Sequence, residues 1–307
     1  MNTQTKFAII AIIVVIPLSA IAVYGTDSEQ QYSKTENNKL QVISSFYPLH
    51  EFAENVGQEK VDVNSIVPIG VEPHDWEPTI KDIQRMQKSD LIIINGIGFE
   101  NWIDNLNQTG YQGKIVDTSN GILVKDATED HDEHENKIQT HGDPHIWLNP
   151  VYAKIQVQNI ADAFSKSDPK NQGYYQLNAA KYVEKLDLLD SKIRTELSHC
   201  NHDFIAFHNA FSYFADEYDL NQHTIISSNS LHVEATAKTL ENVISIAREL
   251  NVKIIFSEEN VNTKTSEIIA NELGGKVLVL SPLEVDSDGT YISKMTENLN
   301  NLKEALC

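Results

Sequence analysis

Short runs of β-branched and aliphatic residues recur along the chain, with room for a helix between successive runs. In the first half they are LQVISSF (40–46), VDVNSIV (61–67), LIIIN (91–95) and KIVDT (114–118). In the second half they are DFIAFH (203–208), HTIIS (223–227), KIIFS (253–257) and KVLVLS (276–281). Apolar strands that alternate with helical patterns, such as residues 236–250, are typical of parallel α/β sheets. The pattern predicts two Rossmann-like α/β lobes, each with a mainly parallel four-stranded sheet.

One long amphipathic pattern, residues 168–199, lies between the two sets of strands. Its apolar stripe is Tyr175, Asn178 or Ala179, Tyr182, Leu186, Leu189, Ile193 and Leu197, at spacings of three and four. Asp168-Pro169 predicts the start, with the aspartate as N-cap and the proline at the first helical position. No Gly or Pro follows Gly173 in the run, so we expect a rigid linking helix about 40 Å long. It would join an N-terminal lobe (40–167) to a C-terminal lobe (200–307), and such lobes should close only modestly on a ligand.

The first 25 residues predict export. Lys6 precedes an almost unbroken apolar run from Phe7 to Val23, which suits either a signal peptide or an uncleaved N-terminal anchor. Residues 26–39 are polar and lack periodicity, so we interpret them as a tether. We therefore expect the folded part to work outside the cytoplasmic membrane, in the periplasm or at the cell surface.

The composition limits the classes of ligand that the protein can bind. The chain has 307 residues, enough hydrophobic content (41%) for real cores, and a formal net charge of −20. Nucleic acid is an improbable ligand because phosphate binding needs clustered Lys and Arg, whereas an acidic surface suits cation capture. We expect a monomer. Cys200 and Cys307 would be oxidised outside the cell if they lie close together, which the sequence leaves open.

Three histidines follow predicted strands. His74 lies in GVEPHDWEPT, His145 in THGDPHIWLNP and His208 in FIAFHNAF. Open parallel sheets bind ligands at the carboxyl ends of their strands, so these imidazoles should meet at facing edges of the two lobes. A lone histidine at a strand end is usually an ordinary hydrogen-bonded residue, but three at equivalent edges predict a metal site.

Imidazole nitrogen favours Zn²⁺, whereas Mn²⁺ prefers more carboxylate ligands. Ligating histidines also need partners on their other ring nitrogen, and Asp75, Asp143 or Asn209 are candidates. Because the imidazoles must be deprotonated to bind, affinity should fall as the pH drops through about 6.5.

Several motifs resemble the ZnuA/TroA group of solute-binding proteins, the extracytoplasmic metal receptors of zinc and manganese ABC transporters. They are SFYPLHEFAENVG (45–57), PHDWEPT (73–79), DPHIWLNP (143–150), FIAFHNAFSYFADEYDL (204–220) and IFSEENVNTKTSEIIANELGGKV (255–277). The resemblance covers nearly all of residues 40–307. It implies that His74, His145 and His208 bind the metal, and that the partner is an ABC permease in the membrane. Histidine at the third position points to zinc, with manganese or iron as alternatives.

The fourth ligand departs from that family's pattern. Many members have an aspartate at the end of the last strand, where this chain has Ser281. A neutral hydroxyl is a poor zinc ligand, so we expect water in the fourth position, with Asp286 or Asp288 as the alternative. Glu258 is another strand-end carboxylate, which we interpret as structural.

The segment 129–142 resembles the histidine- and acid-rich loop of zinc receptors in shortened form. His131, His134 and His141 could hold zinc weakly and pass it to the main site, although a solvated acidic loop would look the same.

Two other functions fit parts of the sequence. An extracellular zinc hydrolase also uses three histidines and an open fourth position, but His-Glu-x-x-His and Gly-x-Ser-x-Gly motifs are absent. A metal-binding adhesin would use the same fold without a permease. We therefore predict a zinc receptor that captures its ligand without turnover, rather than an enzyme.

Overall fold

The strands of the chain form two separate four-stranded sheets, and every described pairing between neighbouring strands is parallel. The structure is a computed structural model that describes residues 39–68, 70–125, 142–226, 236–259, 261–285 and 289–307. Residues 39–307 group as one compact unit. The predicted signal and tether fall on residues outside the described ranges, except for Lys39.

The first sheet has the strand order β2-β1-β3-β4. Its strands are β1 (Leu40–Ser44), β2 (Val61–Ser65), β3 (Leu91–Ile94) and β4 (Lys114–Asp117). The helices that accompany it are α1 (Tyr47–Gly57), α2 (Ile80–Met86), α3 (Ile103–Gln108) and α4 (Pro150–Ser167). All four residues of central β3 are buried, as expected for a continuous apolar run covered on both faces, whereas edge strand β4 is half-buried.

The second sheet repeats this topology with the order β6-β5-β7-β8. Its strands are β5 (Asp203–Ala206), β6 (Asn221–Thr224), β7 (Ile254–Ser257) and β8 (Lys276–Val279). Its helices are α6 (Ser212–Glu217), α7 (Ala237–Glu249), α8 (Lys264–Glu272) and α9 (Tyr291–Leu306). Strand β6 begins and ends earlier than the predicted run 223–227, although the Ile225 and Ile226 amides still donate to Ala206 and Phe207 carbonyls.

The linking helix is α5 (Gln172–Leu197), 26 residues long. Its buried stripe is the predicted one: Tyr175, Asn178, Ala179, Tyr182, Leu186, Leu189, Ile193 and Leu197. The predicted N-cap is wrong, because a 3-10 turn at Pro169–Asn171 precedes the α-helix. The Asp168 carboxylate instead accepts hydrogen bonds from the Asn171 amide (2.6 Å) and the Tyr175 hydroxyl (2.8 Å).

A continuous hydrophobic core joins the two sheets. It includes Phe46 and Trp147 beside the first sheet, Tyr182 on α5, and Phe256 and Tyr291 in the second half of the chain. Buried hydrogen bonds also cross between the halves: the Trp147 indole donates to the Pro282 carbonyl at 2.7 Å, and the Tyr291 hydroxyl donates to the Trp147 carbonyl at 2.6 Å. The lobes are therefore packed together directly as well as tethered by α5.

A disulfide joins Cys200, just beyond α5, to Cys307 at the end of the chain. This settles the question that the sequence left open, and it pins the last helix to the linking helix. In the described ranges, no helix is long and apolar enough to cross a membrane.

Candidate metal centre

The three predicted histidines come together at the carboxyl edges of the two sheets. His74 lies in the connection between β2 and α2, which ends at the Thr79–Asp82 capping box of α2. His145 precedes a 3-10 turn, Ile146–Leu148, and the first turn of α4. His208 follows β5 two residues after its last strand residue.

Four side chains offer ligand atoms that all lie within 4.8 Å of one another: His74, His145, His208 and Glu284. The Nε2 atoms of His145 and His208 are 3.3 Å apart. Both rings are fully buried, whereas the His74 side chain is 9% exposed and packs edge-on against Phe99. Each lobe thus contributes two donors, and His74 is the one nearest to solvent.

Glu284 is the residue that sequence reasoning missed. Its Oε1 lies 3.2 Å from Nε2 of His74, 3.3 Å from that of His145 and 3.6 Å from that of His208. The side chain is 1% exposed, and Oε2 has no hydrogen-bond partner among the described atoms. A carboxylate buried among three imidazoles is a strong candidate for the fourth ligand.

Ser281, the residue at the expected fourth position, is engaged elsewhere. Its hydroxyl donates to Glu259 Oε2 at 2.6 Å and accepts from the Leu283 amide at 3.2 Å. Leu283 has φ +57°, a left-handed conformation that is rare for a branched side chain, and Glu284 follows directly. Asp286 and Asp288, the other acids considered, lie outside the described residues.

Carboxylates bind the second ring nitrogen of two histidines. Asp143 Oδ1 lies 2.7 Å from Nδ1 of His145 and accepts its backbone N–H at 3.0 Å. Glu258 Oε1 is placed in the same way around His208, at 2.7 Å and 3.1 Å. With a proton kept on Nδ1, each ring directs Nε2 towards the cluster, and the lone pair of Nε2 becomes available to a metal ion when the Nε2 proton is lost.

These contacts place Asp143 beside His145, as predicted. The partner of His208 is Glu258, whereas Asn209 Oδ1 accepts a hydrogen bond from the Gln222 side chain at 3.1 Å. Glu258 comes 50 residues after His208 in sequence. The pairing of β5 with β7 brings the two strand ends together, so no local sequence pattern predicts this contact.

The charges in the cluster shift its pKa values strongly. Burial lowers the pKa of His208, but the carboxylates of Glu258 and Glu284 outweigh it and hold that pKa well above its usual range. Burial likewise lowers the pKa of His145, and Asp143 and Glu284 more than compensate, so it is raised. Burial raises the pKa of Glu284, but the three imidazoles hold it well below its usual range. A metal ion must therefore displace protons that this carboxylate stabilises.

A second acid lies beside the cluster. Glu72 Oε1 accepts the backbone N–H of His74 at 3.1 Å. Burial, with the nearby charge of Glu284, raises the pKa of Glu72 to about 8. Glu72 therefore adds little negative charge at neutral pH. The loop histidines His131, His134 and His141 lie outside the described residues.

The chain is similar to zinc-uptake proteins over almost its whole length. The family described as "Zinc-uptake complex component A periplasmic" matches residues 42–305. The high-affinity zinc uptake system protein ZnuA of Bacillus subtilis (strain 168) is 38% identical over an alignment of 301 positions that covers 93% of each chain.

Solved structures show the same fold. A crystal structure of a ZnuA deletion mutant with zinc bound is 29% identical, with a TM-score of 0.77 over 87% of this chain and 98% of that one. The laminin binding protein of Streptococcus agalactiae, described as bifunctional with adhesin and metal transporting activity, has a TM-score of 0.79 at 29% identity over 87% and 99% of the two chains. The extent of the family match, supported by these structures, establishes that the chain belongs to the family of zinc-uptake complex component A proteins.

Proposed function

We propose that this protein binds Zn²⁺ outside the cytoplasmic membrane and delivers it to an ABC-type permease. The observation that carries the proposal is the buried group of three imidazoles and one carboxylate. The family's description as the periplasmic component of a zinc-uptake complex supports the same role.

The donor set suits zinc. Three nitrogens and one carboxylate oxygen match the tetrahedral preference of Zn²⁺, with bond lengths of about 2.0–2.2 Å. Glu284 Oε1 lies 3.2–3.6 Å from the ring nitrogens. Two ligand atoms on one tetrahedral zinc ion are separated by about 3.4 Å, so these distances are similar. Mn²⁺ and Fe²⁺ are the alternatives in this family, but at a nitrogen-rich site both bind more weakly than Zn²⁺.

The same geometry argues against hydrolysis. Catalytic zinc keeps one coordination position for water or substrate, whereas structural and storage sites are closed by four protein ligands. With Glu284 as the fourth protein ligand, the four donors would fill a tetrahedral shell and leave no position for that water. Capture without turnover therefore fits the site better than catalysis.

Binding proceeds by exchange of protons for metal. In the metal-free protein, protons on Nε2 of His145 and His208 face Glu284. Zn²⁺ replaces these protons, while Asp143 and Glu258 keep each Nδ1–H in place and fix the ring orientation. Because most of the ligand shell is already assembled, little ordering is needed when the ion arrives.

The family's description supports the proposed location and partner. The periplasmic description supports work outside the cytoplasmic membrane. Residues 1–25 would act as signal or anchor and residues 26–39 as tether. A cleft that closes only slightly would change one face of a monomer, and the permease would recognise that face.

The loop 129–142 is proposed as an auxiliary collector of zinc. Lys125 and Asp143, which flank this loop in the sequence, are in contact: the Asp143 amide donates to the Lys125 carbonyl at 3.0 Å. Asp143 is two residues from His145, so the loop is connected to the chain close to the metal centre. Deletion of residues 129–141 should remove weak zinc sites and leave the strong one. Loss of the strong site would contradict this division of roles.

An adhesin role is a second candidate, favoured by the similarity to the laminin binding protein. Binding of the purified protein to immobilised laminin tests it. Retention on laminin would add this role, and lack of retention would leave metal delivery alone.

Competition titration with a zinc chelator tests the proposed function. We expect one strong site that prefers Zn²⁺ to Mn²⁺ and that is lost in His208→Ala. The matched control is His223→Ala, because His223 pairs with Asp203 at 3.0 Å on the surface of the second lobe. Unchanged strong binding in His208→Ala would contradict the proposed ligand set.

A further inference from the structure

A cavity in the first lobe has Glu284, a candidate ligand of the metal centre, in its lining. Its volume is about 260 Å³, and it is lined by exposed Asn64 and Pro68, half-buried Ser65, and buried Glu284. The cavity lies beside β2 and α1, which contribute Asn64, Ser65 and His50 to its lining.

A second, larger cavity adjoins the first. Its volume is about 570 Å³, and its lining includes Glu54 and Lys185. Tyr47 and His50 line both cavities, so the two spaces share a wall. Glu54 lines the larger, outer cavity, His50 lines both cavities, and Glu284 lines the smaller, inner one.

The inner cavity is large enough for a hydrated metal ion. Six waters at about 30 Å³ each occupy roughly 180 Å³, which is less than the 260 Å³ present. A divalent cation could therefore enter before it has lost its hydration shell, and the loss of water would be deferred until protein ligands replace it.

His50 and Glu54 are spaced as a pair of metal ligands. They lie one turn apart on α1, with His50 Nε2 3.5 Å from Glu54 Oε1. Two donors on one tetrahedral zinc ion are about 3.4 Å apart. Two ligands alone hold zinc only weakly, which suits a site that an ion passes through.

The remaining charges in the outer cavity oppose this path only slightly. The Glu51 carboxylate accepts hydrogen bonds from the Tyr47 and Tyr182 hydroxyls, both at 2.8 Å, so it is already engaged. The Lys185 ammonium lies over the Tyr182 ring, 5.7 Å from its centroid. The carboxylates of Glu51 and Glu54 line the same cavity and have the opposite charge to this ammonium group.

We propose that these two cavities form the route by which Zn²⁺ enters and leaves the metal centre, with His50 and Glu54 as a transit site. This rests on the proposed function, since the route ends at the proposed ligand Glu284. A transit ligand stabilises the ion on its way in and on its way out, so it changes both rates without changing the equilibrium.

Stopped-flow kinetics of the full chain test the route. Zinc loading is followed with a fluorescent zinc indicator, and release is followed by a chelator chase. In His50→Ala both rates should fall about tenfold, equivalent to about 1.4 kcal/mol in each barrier, while the Kd for zinc stays within twofold. The substitution widens the cavity, so slower loading would not result from blockage.

A second variant and a control complete the test. Ser65→Phe places a ring in the inner cavity and should slow both rates, whereas His223→Ala should leave both unchanged. If His50→Ala keeps wild-type rates, or if it changes Kd by as much as one rate, the route is wrong, even if Ser65→Phe fails to fold. Failure of the proposed function would appear separately, as weak zinc binding by the unaltered protein.

Discussion

Replacement of Glu284 by glutamine perturbs the site where the structure and the sequence-based expectation differ most. The Glu284 side chain is 1% exposed, and its Oε1 lies within 3.6 Å of Nε2 on all three histidines. Glutamine has nearly the same shape, so Glu284→Gln removes the negative charge and keeps the packing. Ser281→Ala is the comparison variant, because its hydroxyl contacts Glu259 and the Leu283 amide but is not among the four candidate ligands.

The expected magnitude follows from burial of the charge. Removing one partner of a buried ion pair costs about 3–5 kcal/mol, which corresponds to a loss of between about a hundredfold and a few thousandfold in affinity. We therefore expect the Kd of Glu284→Gln for zinc to rise by at least about a hundredfold at pH 8. Ser281→Ala should weaken binding by less than about tenfold, because it removes one hydrogen bond to the Leu283 amide, worth about 0.5–1.5 kcal/mol, but no proposed ligand.

The loss should shrink at lower pH. Glu284 helps to raise the pKa values of His145 and His208, so the unaltered protein must release tightly held protons before it binds zinc. In Glu284→Gln those pKa values fall, and proton competition becomes weaker. The difference in affinity between the two proteins should therefore be smaller at pH 6 than at pH 8.

Competition titration with a chromophoric zinc chelator at the two pH values measures both effects. Circular dichroism of the metal-free variants verifies that they fold. The reasoning would be refuted if Glu284→Gln bound zinc as tightly as the unaltered protein at pH 8, or if Ser281→Ala weakened binding as much as Glu284→Gln.

Three further predictions concern the histidine partners, pH and the disulfide. Asp143→Asn and Glu258→Gln should each weaken zinc binding about 10–100-fold in the same titration; unchanged affinity would show that the carboxylates do not orient the rings. As the pH is lowered, zinc affinity should begin to fall while the pH is still above about 6.5, because the pKa values of His145 and His208 are raised. Calorimetry in two buffers should show net proton release on binding, and a fall in affinity confined to lower pH would contradict the raised pKa values. In the metal-free protein, the raised pKa values of His145 and His208 add to the free energy of unfolding at low pH, and this contribution is lost as the pH rises through those values. The lowered pKa of Glu284 adds to the free energy of unfolding above the usual pKa of a glutamate, and this contribution is lost on acidification. Cys307→Ser should lower the free energy of unfolding by about 4–5 kcal/mol, because the disulfide closes a loop of 107 residues; guanidinium unfolding that matches the unaltered protein would contradict this.

The sheets were predictable because their signals are local. Each of the eight apolar runs overlaps a strand, although β6 only in part, and the central runs are buried on both faces as their composition requires. The stripe of α5 follows from helical spacing in the same way. Its first turn was not predictable, since the Asp168 carboxylate binds the Tyr175 hydroxyl rather than a backbone amide.

The histidines of the metal centre were predictable from topology. His74, His145 and His208 each follow a strand, and parallel sheets gather the carboxyl ends of their strands at one edge. Glu284 was not predictable by this reasoning, because its position depends on the left-handed backbone of Leu283 just beyond Ser281. Sequence favours glycine or asparagine for that conformation, so a leucine gives no signal of the turn. The SPLE segment did contain a carboxylate three residues after the serine, and that was the only hint.

A crystal structure of the zinc-loaded protein, with anomalous data across the zinc edge, tests the central claim most directly. We expect one buried zinc ion bound by Nε2 of His74, His145 and His208 at about 2.0–2.1 Å, and by a carboxylate oxygen of Glu284 at about 2.0–2.2 Å. Zinc held by fewer than three of these histidines, or with water in the place of Glu284, would contradict the account.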